Sequence, residues 1–405
     1  MRIEDIHLLA ENGTEATILM AVRDHSPLSR ARLFQLSGLP PATISRAAAK
    51  LLEQGVLVEE RNADTSGIRA KRGLGLNPAA ATAIGIEYTP RGVSGVVVSA
   101  AYGERHRESQ ELDLAAMGSK AGIAAILKFA KTFVAAATPE TGRLLGIGLA
   151  DPGIVDASKG VETRSTILPG WSGVPVADTI SKAFNLPVVL MNSMSAAIRA
   201  VDRREVPDRQ SNVLFIEYGD GVACGMKLGG RYHGGFGSRA GELGHFRISD
   251  RPVPCRCGAA GCLEALASLP SLAREAKSAL LDDSASVLAS QGDFDGQAVL
   301  AAAAAGDRLA GRVVGEAFKY LARAVAGLAN VLAPELIILD SSLAQAGERA
   351  FDSFEREFEL SLLEAGAAGK IMLSKIGPER NALGAAFSIL DAALGENHFR
   401  QKLVN

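Results

Sequence analysis

Cysteine is scarce in this 405-residue chain: four residues are too few for a secreted disulfide framework in so long a sequence. An excess of charge of one sign is missing as well. With 43 basic against 45 acidic side chains the formal net charge is −2, which excludes a wholly basic nucleic-acid coat and an acidic disordered tail. Any DNA contact must therefore be a local basic patch. No run of about 18 uninterrupted apolar residues occurs, because Lys, Arg, Asp or Gly breaks each alanine-rich stretch, and a membrane span is excluded. The segment after Met1 carries Glu4, Asp5, Glu11 and Glu15, where a signal peptide needs a positive start and an apolar run, so a cytoplasmic protein is expected. Aromatics are only 5%, with one Trp, while glycine reaches 43, a balance that favours an α/β protein over an aromatic-rich β-sandwich. The length suggests about two to three domains and ample chain for a core.

The first eighty residues read as short helices followed by a hairpin. Ile18, Leu19 and Val22 fall at helical spacing until the turn-forming run Asp24-His25-Ser26-Pro27. Ser29 caps a second helix with Ala31, Leu33, Phe34 and Leu36, which ends at Gly38. The pair Pro40-Pro41 opens a third, carrying Ile44, Ala47, Ala48, Leu51 and Leu52 before Gly55. Val56 to Glu60 reads as a strand, residues 62–67 as a turn, Leu74 to Leu76 as the returning strand and Asn77-Pro78 as a hinge. The pattern is a winged helix-turn-helix over residues 1–78. Beyond it, strands at 84–86, 93–98, 144–149, 188–191 and 213–218 alternate with helices at 121–136, 313–331 and 382–394, as in doubly wound α/β layers.

A recognition helix offers small or polar side chains at its N-terminal end, where base edges and phosphates are met. Pro41, Ala42, Thr43, Ser45 and Arg46 occupy that end, with Lys50 one turn further on. Arg69, Lys71 and Arg72, flanked by Gly67 and Gly73, suit a wing lying on the DNA backbone or in a narrow minor groove. The stretch from Arg23 to Arg72 is thus locally basic inside a near-neutral chain, and operator DNA is the expected partner.

His245, Cys255, Cys257 and Cys262 form a different kind of cluster. Three thiolates and one imidazole make a closed tetrahedral set suited to one structural Zn²⁺ per chain, with no open position for a catalytic water. Cys224 lies in an apolar stretch and reads as a core residue.

These residues resemble the ROK family (repressor, open reading frame, kinase), and within it the winged-helix repressors. The resemblance rests on the helix-turn-helix from Gly38 to Arg46, on Asp151-Pro152-Gly153-Ile154-Val155-Asp156 followed by Leu168-Pro169-Gly170-Trp171, on Ala240-Gly241-Glu242-Leu243-Gly244-His245, and on the cysteine stretch ending Cys262-Leu263-Glu264. It implies an α/β, actin-like and hexokinase-like (ribonuclease H-like) domain of two lobes with a sugar in the cleft. The first lobe would span 79–190, completed by the C-terminal helix 382–405, and the second 191–381. Asn192, Glu242, His245 and Glu264 match the residues that bind sugar hydroxyls, His245 also matching a zinc ligand. The zinc would pin the loop that aims Glu242 and Glu264.

The sequence departs from the kinase pattern of that family in three places. Ser193 stands where the general-base aspartate follows the asparagine, and a hydroxyl cannot accept the proton at neutral pH. Glu87-Tyr88-Thr89-Pro90-Arg91 replaces a glycine-rich first phosphate loop, and Asp340-Ser341-Ser342 replaces the paired glycines near the adenosine end; only Gly219-Asp220-Gly221 survives as a phosphate-loop motif. The expected protein is therefore a non-enzymatic, sugar-responsive repressor acting as a homodimer or homotetramer. The rival readings are a sugar kinase with an appended DNA-binding domain and a repressor controlled by a protein partner.

Overall fold

Asn12 starts the first helix of the computed structural model, which describes residues 5–61, 72–137, 143–206, 210–281, 285–364, 366 and 369–395. Its Oδ1 accepts the Glu15 N–H at 3.0 Å, and the Glu15 carboxylate accepts from the Glu11 N–H at 2.8 Å, a reciprocal cap that fixes the start of α1 (Gly13–His25). Ser29 caps α2 (Arg30–Ser37), which stops at left-handed Gly38, and α3 (Pro41–Glu53) buries Ile44, Ala48 and Leu51 along one stripe. The wing strands β1 (Leu57–Arg61) and β2 (Arg72–Leu76) pair antiparallel, Leu57 opposite Leu76. The turn between them, with Arg69 and Lys71, lies outside the described residues. Asn77-Pro78 is not a loose hinge: the Asn77 side chain donates to the Gly55 carbonyl at 2.6 Å and its N–H to that of Val56 at 2.9 Å, tying the end of the wing to the end of α3.

The chain divides into two compact units. The first runs to Ala196 and resumes at Asn381; the second is Ala197–Arg380. In the first, β3 (Thr82–Thr89), β4 (Gly92–Ser99) and β5 (Glu104–Glu111) form an antiparallel meander. After α4 (Leu114–Ala137) come β6 (Leu144–Asp151), the hairpin of β7 (Ile154–Asp156) and β8 (Val161–Arg164), α5 (Val176–Phe184) and β9 (Val188–Asn192). The sheet order is β5-β4-β3-β6-β9, with β6 and β9 parallel to β3. Residues of α4 and α5 and Trp171 cover one face with a continuous apolar core.

The chain leaves the first unit within α6 (Ser193–Glu205). In the second, β10 (Val213–Tyr218), β11 (Val222–Leu228) and β12 (Arg231–Tyr232) form the antiparallel part. They are followed by the short α7 (Leu263–Ala267), α8 (Leu269–Ala279), α9 (Gly296–Ala304), α10 (Arg308–Leu332), β13 (Leu336–Leu339), α11 (Glu348–Ser361) and β14 (Lys370–Leu373). The order β12-β11-β10-β13-β14 repeats that of the first sheet, so two sheets of one topology are built from sequences with no visible repeat.

The last helix, α12 (Arg380–Ala393), brings the chain back to the first unit and is buried along its length. A Cβ on Gly85 would lie 1.8 Å from the Ala382 carbonyl oxygen and one on Gly148 2.1 Å from that of Ala385, so only bare backbone on adjacent strands admits this helix. At its far end Asp391 accepts from Arg23 of α1 at 2.9 Å and from the Tyr102 hydroxyl at 2.6 Å. The first helices of the chain are thereby anchored to the helix that closes the sheet.

Candidate metal centre and flanking carboxylates

The segment after β12 doubles back on itself through isolated bridges, Arg247 opposite Cys262 and Pro254 opposite Ala260. Between them the Cys255 N–H bonds the Ala259 carbonyl at 2.8 Å and the Gly258 N–H returns to the Cys255 carbonyl at 3.0 Å, a tight knuckle that turns two cysteines inward. Cys262 caps α7, and His245 closes the single turn Leu243–His245. The ligand atoms of His245, Cys255, Cys257 and Cys262 all lie within 4.8 Å of one another. The Cys257 and Cys262 sulfurs are 3.8 Å apart, and Cys255 Sγ is 3.6 Å from His245 Nδ1. Two sulfurs each about 2.3 Å from a tetrahedral zinc would be separated by about 3.8 Å, so the donor set fits that ion. The Ala259 N–H holds the Cys257 thiol below its ordinary value, whereas burial pushes Cys255 up and Cys262 up to about 12. A metal entering this set must displace thiol protons. Cys224 stands apart, buried in the core, its thiol pushed up to about 12 by burial.

The metal-ligating segment is continuous with two carboxylates. His245 presents its other nitrogen, Nε2, 3.8 Å from Glu242 Oε2. Glu264 follows Cys262 by two residues on α7 and is only 8% exposed. A Cβ on Gly244 would lie 2.4 Å from the Val222 carbonyl and 3.2 Å from Glu264 Cβ, so the glycine between Glu242 and His245 allows both strand and helix to approach. Arg256, between the cysteines of the knuckle, donates to Glu264 Oε1 from Nε at 3.2 Å and from Nη2 at 3.0 Å, and from Nη2 to the Asp220 carbonyl at 2.6 Å. This arginine received no role in the sequence reading, although it lies inside the cysteine motif.

Asn192, the other residue expected from the sequence to contact a sugar, belongs to the first unit. It ends β9, nearly buried, and its Oδ1 accepts the Ser195 N–H at 2.8 Å to start α6. Ser193 turns its hydroxyl onto the Asp151 carbonyl at 2.9 Å. Beside them is a group that sequence reasoning missed. Asp151 and Glu162 are fully buried, and both reach toward Gly153, where a Cβ would meet Glu162 Oε1 at 2.7 Å and Asp151 Oδ1 at 3.1 Å. Tyr88, stacked on Trp171 at 5.6 Å, donates its hydroxyl to Asp151. Burial raises Asp151 to about 6 and, with the Asp151 charge as second cause, Glu162 to about 8.

On α3, the expected recognition helix, Pro41, Ala42, Ser45 and Arg46 are exposed and Thr43 is half-buried. Lys50 differs from its neighbours: its ammonium is held by Glu11 at 2.6 Å and Glu15 at 2.8 Å, so its charge is offset within the domain. Arg72 is exposed and pairs with Glu59 at 3.2 Å.

A three-helix winged domain preceding two sheets of actin-like topology, the second bearing a Cys3His cluster, defines the class of this protein. Residues 105–392 match the ROK family, and the chain belongs to it. It is similar to the xylose repressor of Bacillus subtilis, 22% identical over 382 residues that cover 92% of this chain and 94% of that one. It is also similar to a glucokinase of Halalkalibacterium halodurans, 31% identical over 252 residues, a match covering 61% of this chain and 76% of the glucokinase. Among solved structures, a ROK family transcriptional regulator described as a homolog of the E. coli Mlc protein superposes with a TM-score of 0.80 at 23% identity, covering 96% of this chain and 99% of that one. Among the described residues no helix is long and apolar enough to cross a membrane.

Proposed function

We propose that this chain is a sugar-responsive transcriptional repressor that binds operator DNA through its winged helix and does not transfer phosphate. The observation that carries this reading is the fate of the catalytic position. Ser193 has no carboxylate to take a proton, and its hydroxyl is engaged with the Asp151 carbonyl. The places a nucleotide would need are engaged too. Glu87 accepts from the Asn381 amide at 2.6 Å, Tyr88 is buried against Trp171, and Ser342 donates to the Tyr218 carbonyl at 2.7 Å. The coverage of the xylose repressor match, which exceeds that of the glucokinase match, supports the same conclusion.

Glu242, Glu264 and His245 of the second unit would hold hydroxyls of the effector, since carboxylates and an imidazole supply fixed acceptors and donors for a polyol. His245 would serve twice. Zinc bound at Nδ1 with the three cysteines supplies a closed structural anchor and leaves the proton on Nε2, which faces Glu242 and can donate to an oxygen there. One winged helix buries too little surface for tight specific binding, so operator recognition would use two copies. A sugar that prefers one spacing of those copies then shifts the DNA affinity by its differential affinity for the two states.

The test has two arms on full-length, zinc-replete protein. A sugar panel read by thermal shift and by release from a selected operator fragment should yield a ligand that does both. Phosphate transfer from ATP to the same panel should stay at background. Turnover above about one per second would establish the kinase reading instead, and absence of any sugar response alongside operator binding would favour control by a protein partner.

A further inference from the structure

Arg256 is a basic side chain bonded to a carboxylate of the proposed sugar site, Glu264, and it is set there by the cysteine knuckle itself. Its neighbours Cys255 and Cys257 are both turned into the cluster, so the loop fixes where the guanidinium stands. Two of its nitrogens converge on a single oxygen, Oε1 of Glu264, while Nη2 also reaches the Asp220 carbonyl. The other oxygen, Oε2, packs against the Gly221 backbone, where a Cβ would lie 2.9 Å away, so the glycine admits the carboxylate at this position. The Glu264 side chain is 11% exposed and that of Arg256 42%. A carboxylate so enclosed is held in one orientation, and its negative charge is already matched.

We propose that Arg256 is a specificity-determining residue: by neutralising Glu264 it makes the site accept uncharged sugar hydroxyls or N-acyl groups and reject sugars bearing a free ammonium. This inference rests on the sugar-effector reading above. A hydroxyl can donate to the second oxygen of a paired carboxylate at little cost. An ammonium gains little from a carboxylate whose charge is matched, and it must approach the guanidinium, whose like charge repels it. Without Arg256 the enclosed carboxylate becomes an unmatched anion, which penalises neutral ligands and welcomes cations. Asp220 contributes its carbonyl rather than its carboxylate to Arg256, and Glu242 faces His245, so the arginine's offset falls on Glu264.

The experiment compares wild type, Arg256→Gln and Arg256→Lys as full-length zinc-replete proteins. D-glucose, N-acetyl-D-glucosamine and D-glucosamine are titrated calorimetrically at pH 6.5. Zinc stoichiometry by native mass spectrometry and operator affinity without sugar serve as folding controls. Wild type should favour a neutral sugar over glucosamine by about tenfold or more, and Arg256→Gln should move that ratio toward glucosamine by about tenfold, the scale of a lost charged hydrogen bond. Arg256→Lys, which keeps the charge, should hold the ratio near that of wild type. A ratio unchanged in Arg256→Gln while a sugar still binds would overturn the role of Arg256 and leave the effector reading standing. Wild type that binds none of the three and no sugar of the wider panel, with zinc and operator binding intact, would overturn both.

Discussion

Replacing Arg23 with alanine should destabilise the first unit far more than a surface charge would. Arg23 lies on α1 and its side chain is 3% exposed; Asp391 lies on α12 with 7%, the two 2.9 Å apart, and Arg23 also pairs with its neighbour Asp24 at 2.7 Å. Removing one partner of a buried pair leaves the other as an uncompensated charge, at a cost of about 3–5 kcal/mol. The Tyr102 hydroxyl stays on Asp391 Oδ1 at 2.6 Å in the variant, which places the expected loss at the lower end, about 3 kcal/mol. Against a typical domain stability of about 5–15 kcal/mol that loss is large. Urea denaturation of wild type, Arg23→Ala, Asp391→Leu and the double variant Arg23→Met/Asp391→Leu measures it. The double variant removes the Arg23 and Asp391 charges together and leaves only the more exposed Asp24 without its arginine, so it should lose less than Arg23→Ala. A loss below about 1 kcal/mol for Arg23→Ala, or single-variant costs that simply add in the double variant, would refute the claim that this pair anchors the first helices of the chain.

Arg46→Ala should weaken operator binding by about 1–3 kcal/mol, and Lys50→Ala by less because Glu11 and Glu15 already hold that ammonium; equal losses in a fluorescence anisotropy titration would contradict the pairing. Cys257→Ser or chelation should remove the metal and lower the thermal midpoint, with metal content read by native mass spectrometry; a midpoint indifferent to chelation would argue against a structural ion. The Asp151 and Glu162 pair, raised to about 6 and about 8, binds more protons folded than unfolded, so stability should fall as pH rises from about 4 through about 8, at up to about 1.4 kcal/mol per unit for each proton. Glu162→Gln should flatten the high-pH part of that dependence, and a variant whose unfolding midpoint tracks pH as wild type does would exclude the pair as its source.

Legibility in the sequence followed the range of the interactions. The winged helix was readable because its boundaries are local: Ser29 caps the helix it precedes, Gly38 ends it in the left-handed conformation, and Pro41 opens the next. The Cys3His cluster was readable for the same reason, its three cysteines falling within eight residues. The strand Glu104–Glu111 was invisible because an edge strand of alternating charge buries no face, and its pairing with β4 is supplied by the sheet rather than by its own residues. Glu162 and Arg23 are charged side chains in turn-like or helical sequence, and nothing local distinguishes them from solvated ones. Glu162 is buried beside Asp151, whose charge disfavours its ionised form, and Arg23 is paired with Asp391, more than 350 positions away along the chain. Lys50 was legible as a basic residue on the correct helix, but its carboxylate partners lie on α1, so its charge is partly used before any DNA arrives.

The three departures from the kinase pattern act in one direction once their contacts are known. A site that must admit a nucleotide keeps backbone amides and a carboxylate free for a ligand to use. Here Ser193 is bound to the Asp151 carbonyl, the Tyr88 hydroxyl to the Asp151 carboxylate, and Ser342 to the Tyr218 carbonyl. Each polar group left at those positions satisfies another group of the fold, which stabilises the unit that holds it and removes a donor or acceptor from chemistry. The proposed sugar site is built otherwise. Glu264 leaves one oxygen on the side of Gly221, and His245 turns Nε2 toward Glu242. Under the proposed function, internal bonds at the phosphate positions and a cysteine knuckle that orients the carboxylates would let the site recognise a ligand and hold it unchanged, which is what a repressor's effector site requires.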